Sequence, residues 1–138
     1  MIKKLYYAAL TYMILGLIAG VYYREITKMT GFTGNTMLSV LHTHLLTLGM
    51  FFFLIVILLE KAFTLSKSKL FMAFFWVYNI GVAWTIGMMV VHGTMTVMKM
   101  TVGDAVSGIA GMGHIILAVG LILFFICLKE RLFGSEEK

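Results

Sequence analysis

Four apolar runs, each about long enough to cross a bilayer, constrain this chain more than anything else in it. They cover about 5–23, 37–59, 70–98 and 106–128, and a spanning helix needs roughly 20 such residues. In hydrocarbon every backbone N–H and C=O must be bonded within the segment, so each run is expected to be an α-helix. The sequence holds no proline to break one. With 61% hydrophobic and 12% charged residues and a mean hydropathy of +0.99, the balance is that of an integral membrane protein. The expected fold class is an all-α membrane protein: one domain of four transmembrane helices over residues 1–138.

The net charge of +5 belongs to the segment ends, where basic residues set topology and meet lipid headgroups, so nucleic acid is excluded as a partner. Eight Lys and Arg lie at the N-terminus, the second loop and the C-terminus: Lys3, Lys4, Lys61, Lys67, Lys69, Lys129, Arg131 and Lys138. Three, Arg24, Lys28 and Lys99, lie in the first and third loops. This asymmetry predicts cytoplasmic N- and C-termini. Tyr22-Tyr23-Arg24-Glu25 follows the first run without a small-residue cleavage pattern, so that run is read as retained. Thr30-Gly31-Phe32-Thr33-Gly34-Asn35 is turn-forming. Tyr6, Tyr7 and Trp76 stand where interfacial anchors belong. The lone Cys127 permits no intrachain disulfide.

Four histidines interrupt the apolar runs, and imidazoles at membrane depth mark a functional site. At 1.5 Å per residue, His42 and His44 lie about 8 and 11 Å from the outer end of the second helix. His114 lies about 12 Å into the fourth, and His92 about 9 Å before the end of the third. All four are expected in one layer of the outer leaflet. On a regular helix His42 and His44 point about 200° apart, so one site cannot easily use both. The His42 face continues through Ser39, Leu46 and Gly49, and the His44 face through Val40, Thr47, Leu48 and Phe51. Around His114 the face is small: Ser107, Gly111 and Ala118, open to a broad flat group or another backbone. Around His92 it is rich in sulfur, with Met88, Met89 and Met95. No carboxylate lies near this layer, which counts against zinc, and no nucleophile–base–acid set can be assembled. Glu60, beside Lys61 at a segment end, is not read as a buried proton carrier. On the first helix, Gly16 and Gly20 share a face with Tyr12 and Tyr23 and suit close helix contact.

The Tyr22-Tyr23-Arg24-Glu25 helix end and the run Leu41-His42-Thr43-His44-Leu45-Leu46 resemble a small family of uncharacterised four-helix bacterial membrane proteins. The resemblance covers nearly the full length and implies a multi-pass protein of the bacterial plasma membrane. More distantly, His42-Thr43-His44-Leu45-Leu46-Thr47-Leu48-Gly49 is similar to the His-x-His helix of haem–copper oxidase catalytic subunits, whose two histidines ligate different haems. The glycine falls one residue earlier than in the common oxidase pattern. The histidine pair and cross-linked tyrosine that serve copper there have no counterpart here. That likeness therefore implies haem rather than an oxygen-reducing copper centre.

Oxidase subunits have twelve helices in three arcs of four, so this resemblance implies an oxidase-arc-like bundle and a homotrimer. Haem b would then sit between His44 of one chain and His42 of its neighbour, with His92 and His114 as further candidate ligands. Gly49 and Gly111 would give the macrocycle room, and Arg24, Lys28 and Lys99 would meet its propionates. The function expected is electron transfer or O₂- or NO-related redox chemistry, with a quinone or a redox protein as partner. Two other readings stay open: a copper (or zinc) site for metal handling, since His and Met suit Cu(I), and a structural accessory subunit.

Overall fold

The computed structural model describes residues 1–101 and 103–134, without the side chains of 104–107. Lys138 of the charge count and the Ser107 side chain of the His114 face lie outside the described residues. Four long helices carry the chain: α1 (Ile2–Thr30), α2 (Met37–Phe63), α3 (Phe71–Val97) and α4 (Asp104–Phe133). All four have spans long and apolar enough to cross a membrane, and the described residues contain no strand. At about 40 Å or more each, they exceed a hydrocarbon core of about 30 Å. The surface is inverted relative to a soluble protein: Leu17, Ile18, Leu58, Ile115 and Phe125 are each at least 58% exposed. These features fit a small multi-pass membrane protein.

The ends of the helices follow from local chemistry. α1 runs past the apolar limit at Tyr23 until Gly31, whose φ of 61° only glycine takes up without strain. The Gly31 and Phe32 amides then close on the Lys28 and Thr27 carbonyls. Thr36 caps α2: its Oγ1 accepts from the Leu38 N–H at 3.3 Å and donates to the Gly93 carbonyl of α3 at 2.8 Å. Between α2 and α3, the Glu60 carboxylate accepts from the Ser66 backbone N–H at 2.8 Å and from the Ser66 hydroxyl. Ser68 donates to Glu130 at 2.6 Å, and the Arg131 Nε–H donates to the Phe63 carbonyl. Buried Glu60 is thus engaged in holding a turn against the end of α4.

α2 departs from the regular helix that the sequence suggests. It starts as a 3-10 turn (Met37–Val40), becomes α-helical over Leu41–His44, and widens to a π-helix over Leu45–Phe51 before Phe52–Phe63 resumes the α-helix. The wide turn sits where Gly49 meets the Tyr12 ring of α1 so closely that a Cβ there would overlap it. The Tyr78 hydroxyl of α3 donates to the Leu48 carbonyl inside the same turn at 2.9 Å. His42 and His44 both precede the π-helix, so the angle between them is that of an α-helix.

α1 packs along α2 and α3 along α4, with α2 and α3 in the middle and no close backbone contact between α1 and α4 among the described residues. Gly16 and Gly20 both face α2, towards Leu46 and His42. An aromatic cluster joins the two pairs: Phe52 stacks on Tyr78 with centroids 4.1 Å apart and meets Phe124 of α4 at 5.3 Å. The α3–α4 seam depends on glycines. A Cβ on Gly81 would stand 2.7 Å from the Leu117 nitrogen, whereas one on Gly87 would meet nothing within 4 Å. Gly81→Ala is therefore expected to destabilise by about 1–3 kcal/mol through overpacking. Gly87→Ala adds the same methyl and is expected to be neutral or slightly stabilising, because alanine is the better helix former. Unfolding of both variants in mixed detergent checks this.

Candidate functional site

Three of the four histidines surround one cavity. His44 of α2, His92 of α3 and His114 of α4 line about 210 Å³ together with Met88, Met89, Thr85 and Val40. The expected single layer of imidazoles thus corresponds to a single hollow for three of them. It lies at the end of the bundle where α1 ends and α2 begins, away from the Ile2 end of α1 and the Phe133 end of α4. Thr36, through Gly93, fixes α2 against α3 beside it. At the same end the Tyr22 and Thr94 hydroxyls bond at 2.9 Å, joining α1 to α3.

One hydrogen bond sets the orientation and the neutral tautomer of the His44 ring. Its Nδ1 lies 2.8 Å from the Val40 carbonyl oxygen. A carbonyl can only accept, so Nδ1 carries the proton and, in the neutral ring, Nε2 keeps its lone pair. A histidine that ligates a metal through one nitrogen usually donates from the other in this way. Val40, which ends the 3-10 turn, also accepts from the Thr43 hydroxyl at 2.7 Å. The spacing of four residues places this carbonyl under the ring, and that signal was available in the sequence.

His92 differs. Its Nδ1 is buried and has no hydrogen-bond partner, and the ring stands among the methionines of the cavity. His114 is exposed at the cavity edge. A Cβ on Gly111 or Gly108, one turn and nearly two turns before it, would meet nothing within 4 Å. That side of α4 is open, as the small face of the sequence suggested.

His42 does not join them. It faces α1, where a Cβ on Gly20 would stand 3.9 Å from the His42 Cβ. Its Nδ1 is likewise buried and without a partner. The opposite-facing geometry of the two imidazoles is therefore realised. Gly49 is taken by the Tyr12 ring and leaves no room for a macrocycle. Arg24 is not part of the cavity lining; it is mostly exposed, 3.8 Å from the carboxylate of Glu25. No group of three or more His, Cys, Asp or Glu side chains among the described residues is arranged to hold one metal ion. The cavity also has no carboxylate among its described lining residues.

A family model described as "Protein of unknown function (DUF2871)" matches residues 2–131. The chain belongs to this family. No curated protein and no solved structure matches it. Membership in DUF2871 accounts for the chain over nearly its whole length. It brings no link to the haem–copper oxidases, so the oxidase likeness of His42-Thr43-His44 rests on those residues alone.

Proposed function

We propose that the chain is a haem b-binding membrane protein of electron transfer or small-gas redox chemistry, with His44 as an axial ligand. One observation carries this reading: the Val40 carbonyl fixes His44 with its Nε2 lone pair free, on a cavity that two further imidazoles share. Haem would supply one-electron chemistry, with its potential tuned by the axial ligands and by burial. The chain's own part is to fix the imidazole, exclude water with α3, and leave an open edge beside His114.

The size of the cavity bears on assembly. About 210 Å³ is less than the roughly 300–1,000 Å³ of pockets that enclose drug-sized ligands. A macrocycle held by His44 would thus extend past this chain, over the open Gly111 side. A neighbouring copy closing that side is the economical completion, and closed symmetric rings are the usual form of homo-oligomers. By the oxidase-arc count the assembly would be a homotrimer, in which the half-buried His42, on the α1 side of its own chain, would offer its other ring nitrogen to the neighbouring copy as the second axial imidazole. In the bacterial plasma membrane, with both termini cytoplasmic by the distribution of basic residues, the site would face the outer leaflet. A quinone or an external redox protein would be its electron partner.

A second reading has its own observation. The unpartnered His92 Nδ1 beside Met88 and Met89 offers the imidazole–thioether set that suits Cu(I), and 210 Å³ holds an ion easily. Elemental analysis of protein purified from haem-replete, copper-supplemented cells separates the two. Iron at near-stoichiometric level with matching haem b supports the first reading, and copper without iron supports the second. Neither metal contradicts both and leaves a structural accessory subunit.

A further inference from the structure

A second hollow lies at the opposite end of the bundle, between α1 and α3. It measures about 600 Å³ and is open along its length. Its mouth carries Lys4, Tyr7 and Trp76, and its walls run down to Leu15 and Ala83. The helices are bridged within it by the Tyr12 hydroxyl, which donates to the Asn79 side-chain oxygen at 3.0 Å, while the Asn79 Nδ2 donates to the Phe75 carbonyl at 2.7 Å. These bonds engage Tyr12 and Asn79 with the helices, and apart from Thr11 the rest of the depth is lined by Ala8, Leu15, Phe75 and Ala83, which suits an apolar occupant.

We propose that this groove seats one anionic phospholipid, its headgroup on Lys4 and one acyl chain between α1 and α3. Three features fix the occupant. The Lys4 ammonium at the mouth is complementary to an anionic phosphate. Tyr7 and Trp76 are exposed beside it, at the level where amphipathic aromatic rings meet headgroups. From Lys4 to Leu15 the groove descends about 16 Å, close to the roughly 15 Å that one leaflet contributes to a hydrocarbon core. The seat is independent of the histidine cavity, so neither proposal depends on the other.

The full chain in lipid nanodiscs tests this. The sequence has two tryptophans, and Trp84→Phe leaves Trp76 as the reporter at the groove mouth. Phosphatidylglycerol with brominated acyl chains is expected to quench Trp76 about fivefold more effectively than brominated phosphatidylcholine, the preference one lysine confers near an anionic surface. Lys4→Gln should remove that preference. Lys129→Gln, exposed on α4, should leave it intact. Thr11→Phe, which fills the trough, should lower quenching by both lipids. Equal quenching by the two lipids would overturn the seat, as would a preference that survives Lys4→Gln or is lost equally in Lys129→Gln. Suppression by soluble glycerol phosphate would also overturn it, because the bound species would then be a free anion.

Discussion

Replacing His44 by alanine is expected to lower bound haem b at least tenfold while leaving the fold intact. The ring is only half-buried and makes one hydrogen bond, to a carbonyl of its own helix, so its loss opens no sealed cavity. Far-UV circular dichroism and gel filtration should therefore match the wild type. Removing even a group that merely orients a ligand commonly costs 10–100-fold in affinity, and removing the ligand costs more. His42→Ala is expected to have an equal effect if His42 of one copy serves the site of the next. The pair then allows a sharper experiment. Co-expressed His42→Ala and His44→Ala chains should regain part of the haem, because a mixed ring holds sites built from the intact histidine of each. No recovery would place both axial ligands within one chain. His114→Ala, at the open edge, should retain the pigment.

Tyr78→Ala is expected to be the most damaging single substitution in the bundle. Tyr78 is 1% exposed, stacks on Phe52 at 4.1 Å and meets Phe53 and Phe74 in the same cluster. Truncating an aromatic of that size in a packed core costs about 3–5 kcal/mol. The loss acts through packing, since lipid offers no hydrophobic drive between helices. Tyr78→Phe isolates the hydroxyl that bonds the Leu48 carbonyl. In a membrane such a bond averages about 0.6 kcal/mol, so the phenylalanine variant should stay folded and Tyr78→Ala should not. Resistance to unfolding in mixed detergent distinguishes them, with little or no folded Tyr78→Ala surviving extraction.

The membrane segments were legible in the sequence because hydrocarbon leaves a chain few options: length and apolarity identified four helices. Their true ends were less so. α1 continues to Thr30 because Gly31, and not the loss of apolarity after Tyr23, stops it. That His44, His92 and His114 share one level of the bundle followed from the helix rise, and the division of His42 from His44 from the helix turn, since both sit in α-helical geometry. The π-helix over Leu45–Phe51 left no mark in the apolar pattern. The side chains that meet it, Tyr12 and Tyr78, are distant in sequence. The same holds for Gly49: spacing put it on the His42 face, but only packing shows the Tyr12 ring against it. Arg24 illustrates a different limit, because a long exposed side chain at a helix end has no position that sequence can fix.

The most direct test of the central claim is the reduced-minus-oxidised absorption spectrum of the purified wild-type protein from haem-replete cells. Haem b held by two imidazoles predicts a red protein with a low-spin spectrum and a split α-band. A colourless protein with no absorption beyond that of its aromatic residues would contradict it.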